Sequence, residues 1–227
     1  MMGTSMTAAA ITMWCNIAPE QWSEFQRWHS QEHLLERVGV PGFLRGSRWH
    51  SRSRATGVLV LYELEHLWVF ESTDYADRLN HPSPSTIRLM PFISDMVRTP
   101  SHITVEAGGG HAASLLTVGF SPAAGRESAL RQWARDAAAE IAARPGLVSL
   151  GLLEAEYGLE GQHTAEHEMR GRSDEVADWC LMAIGDDASL SSLAAGLPAA
   201  ASAHGALDVT AESYDLAHSF GRQDSPL

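Results

Sequence analysis

Two Pro-Gly turns, Pro41-Gly42 and Pro145-Gly146, stand 104 residues apart in a chain of 227. A glycine-rich stretch, Ala107-Gly108-Gly109-Gly110, falls almost midway along the chain and reads as a linker. The pattern of elements before it recurs after it. Hydrophobic alternation predicts a strand over 11–17, a helix over 20–38 and strands over 43–50 and 57–65. A helix over 67–80 and a strand over 93–106, interrupted or bent near Pro100, complete the first set. The second set is a strand over 113–120, a helix over 126–144, strands over 147–157 and 177–184, a short helix over 190–197 and a strand over 207–217. At the same offset Trp14-Cys15 falls on Val118-Gly119. Each half therefore reads β-α-β-β-α-β, the split βαβ unit. Such a unit has helices on one face of its sheet and must cover the other. Two units in one chain can cover each other. The expected fold is α+β: two tandem ferredoxin-like units, 9–106 and 113–218, joined by a linker at 107–112 and packed sheet to sheet as a barrel, with a loose tail at 219–227.

Composition narrows the chemistry. All 16 basic residues are arginine, against 28 acids and a formal charge of -12. Without lysine there is no Schiff base and no Walker-type phosphate loop. The acidic balance argues against nucleic acid or an anionic membrane as partner. Cys15 and Cys180 lie in apolar strands and are expected to be buried, reduced thiols. The first residues show no basic leader and the chain has no long apolar run, so a cytoplasmic location is expected. No G-x-G-x-x-G or G-x-S-x-G motif occurs.

The first helix is unlike an ordinary core helix. At 100° per residue Trp22, Phe25 and Trp28 share one face, and Glu32 projects between Phe25 and Trp28. His29 and Glu36 flank that face and His33 lies beside Trp22. The second-half helix has a plain stripe of Leu130, Trp133, Ala137 and Ile141, with Asp136 and Ala137 in place of Glu32 and His33. The first half is thus expected to carry the chemistry and the second to be a structural copy. A carboxylate among tryptophans is desolvated, which raises its pKa toward that of a useful acid or base, and histidine shuttles protons near neutrality. A plainer alternative has Glu32 and Glu36 tilted to solvent and the histidines filling gaps between helix and sheet. His29, His33 and Glu36 also have a spacing that could hold a metal, although none is expected. A second polar cluster, His163, Glu166, His167 and Glu168, reads as a solvated loop.

Arg45, Arg48, Arg52 and Arg54 fall on or after the second strand, and alternation puts Arg48 and His50 on one face, Arg45 and Trp49 on the other. Arg48 is the candidate partner for a substrate carboxylate or oxyanion. Trp22, Trp28, Trp49 and Tyr62 are candidate pocket walls, and His81, at the NHPSPS break, a candidate loop contact.

The segment FQRWHSQEHLLERVGVPGFLRGSRWH, with YELEHLWVFESTDYADRLNHPSP, resembles the EthD-like members of the dimeric α+β barrel superfamily. The closest stretches, 28–48 and 64–84, make up about a fifth of the chain, and the pattern Trp28, Glu32, His33 followed by Pro41 to Phe43 carries the likeness. The resemblance implies a ferredoxin-like fold with a small pocket between sheet and helices. The superfamily spans cofactor-free monooxygenases, isomerases, cyclases, haem-binding proteins and dehydratases, so fold analogy leaves the reaction open.

The expected activity is acid/base proton transfer on a small aromatic or unsaturated molecule, of lyase, isomerase or hydratase type and without a cofactor. Glu32 with His33 or His29 would be the acid/base pair and Arg48 the oxyanion partner. The alternatives are a non-enzymatic binder of a small hydrophobic ligand, or a metal- or haem-dependent enzyme of the same fold. A monomer with an internal pseudo-dimer, or a homodimer, suits either.

Overall fold

A computed structural model of the chain describes residues 9–141, 143–159 and 178–224. Eight antiparallel strands close into one barrel in the order β1-β3-β2-β8-β5-β7-β6-β4. The strands are β1 Ala9–Ile17, β2 Phe43–Ser51, β3 Gly57–Leu64, β4 Ile93–Gly108, β5 Ser114–Pro122, β6 Leu147–Ala155, β7 Trp179–Gly185 and β8 Ala206–Gly221. Within each half the order is fourth-first-third-second, the ferredoxin-like arrangement. The long fourth strands join the halves: β4 pairs with both β1 and β6, and β8 with both β5 and β2. The expected tandem, sheet-to-sheet α+β barrel is the fold observed.

Three cores follow from the alternation of side chains across each strand. Val58, Val60, Tyr62 and Leu64 of β3 face the helices of the first half, whereas Leu59 and Leu61 point into the barrel with Trp49, Leu115, Met182 and Tyr214. Covered on both faces, β3 has to be apolar nearly throughout, which is why it reads GVLVLYEL. A third core, around Leu130, Trp133, Leu152 and Leu181, lies under the helices of the second half.

The helices depart from the expectation in an informative way. After a short 3-10 turn at Pro19–Gln21, α1 covers Trp22–Trp28, a π-helical turn covers His29–His33, and α2 covers Leu34–Val38. The N–H of Leu34 bonds the carbonyl of His29, five residues back. Gly46 lets α2 approach β2: a Cβ there would stand 2.6 Å from Leu34 Cδ1. The expected helix over 67–80 divides into a 3-10 turn, Leu67–Glu71, and α3, Thr73–Asn80, because Ser72 is extended and caps α3 through its hydroxyl. Ser83 caps α4, Pro84–Leu89, in the same way. The second half carries α5 Glu127–Ile141, α6 Asp187–Ala194 and α7 Gly196–Ala203.

Two strand expectations need correction. β4 passes through Pro100 without interruption. The Pro100 carbonyl accepts from the Glu156 N–H just past the end of β6, so the proline forfeits only the reciprocal bond, at the last rung of that pairing. β8 runs on to Gly221, into the stretch expected to be a loose tail, because its last residues pair with β2 as far as Arg45 opposite Gly221. The cluster at His163, Glu166, His167 and Glu168 lies outside the described residues. Among the described residues no helix is long and apolar enough to cross a membrane.

The glycine-rich stretch is less loose than its composition suggests. Gly108 ends β4 with φ +75°, and the Gly109 N–H bonds the Val148 carbonyl at 3.1 Å. A Cβ on Gly108 would stand 2.1 Å from that carbonyl oxygen. Gly108→Ala is expected to cost about 1–2 kcal/mol from the left-handed backbone alone, and more from the clash, visible as a lower urea midpoint. Gly109→Ala, where a Cβ meets nothing within 4 Å, is the control.

Candidate functional site

A cavity of about 50 Å³ lies between the first-half sheet and its helices. Its apolar wall is Met13, Cys15, Phe25, Trp28, Val60, Leu79, Met90, Ile93 and Met96. Its polar groups are His29, His33, Arg37, Tyr62, Tyr75 and Arg98, with no carboxylate among the described residues that line it.

The π-turn explains why both histidines reach this cavity. A strictly α-helical projection spreads His29, Glu32 and His33 around the aromatic face. The five-residue hydrogen bond widens the turn, and His29 and His33 become buried at 2% and 5% exposure while Glu32 rotates away. His33 packs on Trp28, with ring centroids 4.4 Å apart, and His29 lies 5.4 Å from Phe25 and 5.6 Å from His33. Among the described residues His29 Nδ1 has no hydrogen-bond partner. Arg98 stacks 4.5 Å over the Phe70 ring and donates to the Tyr75 hydroxyl at 2.5 Å.

Several expected site residues lie elsewhere. The Glu32 carboxylate accepts from the Ser83 hydroxyl at the start of α4 and does not line the cavity. Glu36 is half-buried and also off the lining, and among the described residues no group of three or more His, Cys, Asp or Glu is arranged to hold a metal. Trp49 is wholly buried on the opposite face of the sheet, inside the barrel, and is therefore no wall of this cavity. His81 is exposed at the end of α3, where Nδ1 contacts Asp77 at 3.0 Å. Trp22 is half-buried and packs on His50 at 4.7 Å, beside the cavity rather than in it. Trp28 and Tyr62 do line it. Arg37, Tyr75 and Arg98 escaped notice in the sequence, although Arg37 continues the four-residue spacing of His29 and His33.

The arginines on and after β2 separate by role. Arg52 pairs with Asp187 and Asp215, and Arg54 with Glu212, whose carboxyl is held down to about 2 chiefly by hydrogen bonds from Ser51, Tyr214, Ser53 and Arg54 that outweigh its burial. Arg45 and Trp49 face the barrel interior while Arg48 and His50 face the helices, as alternation requires. Arg48 is buried against Phe25, and burial pulls its pKa down to about 10. Both cysteines are free and buried, and burial pushes the Cys180 thiol up to about 12.

Three histidines share one electrostatic setting. Burial, then Arg48, His218, Arg37 and His50, hold His29 well below the usual imidazole value. His50 is lowered by burial and Arg48 against an opposing pull from Asp215, and His218 by burial and Arg48. With folded pKa values below those of the unfolded chain, the unfolded chain binds more protons in the window between them, and stability falls as pH falls through it. Full stability is expected above about pH 6.5, with a declining urea midpoint below. Replacing His218 with Asn should flatten that decline.

No family model matches the chain, and no curated protein matches it in sequence. Solved structures do. An anthrone oxidase-like protein superposes with a TM-score of 0.64 at 11% identity, over 96% of this chain and 94% of its own. A monooxygenase candidate from Fusobacterium nucleatum gives 0.66 at 7% identity, over 95% of each. A haem-binding protein from Thermus thermophilus gives 0.52 at 8% identity, over 93% and 92%. At such identities the likeness extends to the fold alone. It covers nearly the whole chain and agrees with the strand order, so the chain has the ferredoxin-like α+β barrel fold of these proteins.

Proposed function

We propose that the first half carries the active site of an enzyme that moves a proton on a small aromatic or unsaturated molecule, and that the second half is its structural copy. The observation that carries this reading is the pair of buried histidines on a π-turn, opening into an aromatic cavity whose charged lining, among the described residues, is arginine alone. His29, neutral at pH 7, is the base. Arg37 and Arg98 hold the enolate or phenolate oxygen that forms, and the Tyr62 hydroxyl is placed to donate to it. The anion so formed is also what makes a proton on His29 tolerable beside the arginines.

This chemistry serves a lyase or isomerase, in which the carbanion is reprotonated or expels a group. It serves equally the oxygenase-type reactions named for the anthrone oxidase-like and monooxygenase neighbours. The Trp28–Glu32–His33 and Pro41–Phe43 pattern supports an EthD-like placement within the superfamily. Haem does not fit the residues present. The space beside His29 and His33 is about 50 Å³, far below the roughly 300 Å³ at which drug-sized ligand pockets begin. The same figure favours a substrate of one ring or fewer, admitted by shifts of Met13, Met90 and Met96.

The test is deuterium exchange. Single-ring enolisable ketones and phenols are incubated with the protein in deuterium oxide, and label entering the activated C–H position is followed by NMR. Protein-dependent exchange that saturates with ligand supports the reading; exchange no faster than in buffer across the set ends it.

A further inference from the structure

Beside the cavity, under the same helix, the buried Arg48 lies between two histidines, and among the described residues no carboxylate pairs with it. Arg48 is 3% exposed. Its Nη1 donates to the Gln26 carbonyl at 3.1 Å, its guanidinium lies 5.8 Å from the Phe25 ring, and among the described residues its Nε has no hydrogen-bond partner. Among the described residues no carboxylate acts on it. Buried charges are as a rule paired, because desolvating an isolated one is costly.

Two imidazoles flank the guanidinium. His50 lies two residues along β2 on the same face, and His218 stands directly opposite Arg48 on β8. The β2–β8 ladder shifts register at this point, pairing Arg48 with His218 and Trp49 with Leu216. Ala217 is left over, and an irregularity of this kind re-aims the side chains beside it. Leu216 thus packs into the barrel core while His218 joins Arg48 under the helix. The Nε2 atoms of His50 and His218 are both buried with no hydrogen-bond partner among the described residues, and Trp22 packs over His50. Asp215, opposite His50, is exposed and already engaged by Arg52.

We infer that Arg48, His50 and His218 form a binding subsite for an oxyanion, a carboxylate or phosphate group, reached at the seam where β2 meets β8. His50 and His218 are only half-buried, unlike Arg48. None of the three residues lines the cavity beside His29, so the subsite stands independently of the reaction proposed there. An anion among the three would compensate the buried guanidinium and favour protonated His50 and His218, whose charged forms burial and Arg48 now oppose.

The experiment is a histidine-resolved NMR titration of the full chain with inorganic phosphate and, separately, with acetate, each against chloride at matched ionic strength. Saturable shifts of His50 and His218 are expected, with their pKa values rising as the site fills. The anion that binds more tightly identifies the group recognised. Arg48→Met should weaken binding at least about tenfold, as loss of a charge-assisted hydrogen bond predicts. His218→Asn, at a half-buried position, provides the same reading should the Arg48 variant fail to fold. Resonances that do not move, or variants that bind as the unaltered chain does, overturn the inference.

Discussion

Replacing His29 with asparagine is expected to lower protein-dependent proton exchange by about 10²- to 10⁴-fold, the usual contribution of a positioned general base. The change keeps a polar side chain of similar reach at a site only 2% exposed, so the fold should survive while the acceptor is lost. A merely structural histidine would affect stability without altering the pH profile. Here the ascending limb of exchange against pH, set by an imidazole held well below its ordinary value, should disappear. The neighbouring carboxylate gives the contrast. Glu32 accepts a hydrogen bond from Ser83 and does not line the cavity. Glu32→Gln, which keeps that bond, should leave exchange within about threefold, below the effect of any direct proton-transfer group. A large loss in Glu32→Gln with little in His29→Asn would reverse the assignment.

That contrast shows where sequence periodicity stops being informative. Duplication was legible because turns and alternation are local: both Pro-Gly pairs fall in turns and GVLVLYEL is a strand, whereas the glycine stretch, expected as a linker over 107–112, begins inside β4. The aromatic, histidine-bearing helix was legible too, as a helix whose polar residues sat where leucines belong. Its phase was not. One i to i+5 hydrogen bond between Leu34 and His29 rotates everything after it, bringing in His33 and Arg37 and turning out Glu32. No propensity marks such a turn. Arg98 and Tyr75 were invisible for another reason: they come from β4 and α3, far away in sequence, and only the closed sheet order places them beside His29. Trp49 shows a third limit. Alternation correctly put it on the face opposite Arg48, but which face held the cavity depended on where the helices lay.

Trp49→Ala should therefore act on the barrel rather than on the proposed reaction. Trp49 is fully buried between the sheets, its Nε1 donating to the Ser47 hydroxyl at 2.9 Å and its ring stacked 5.9 Å from His111. Around it are Leu59 and Leu61 of the first half and Leu115, Met182 and Tyr214 of the second, so one side chain bridges both sheets. Truncating a buried tryptophan costs about 3–5 kcal/mol. In a chain of this size each kcal/mol lowers the melting temperature by roughly 2–4 °C, so a fall of about 6–20 °C is expected in calorimetry. The loss should be single and cooperative, because the vacated volume faces both halves at once and neither sheet can close over it alone. Exchange at the His29 cavity, measured below the new transition, should stay within about threefold of the unaltered chain, as befits a change outside the proton path. Were Trp49 instead a wall of the reaction pocket, Trp49→Ala would weaken ligand saturation at temperatures where the barrel is still intact. Two separate melting transitions would show that the halves fold as independent units rather than as one barrel sharing this core.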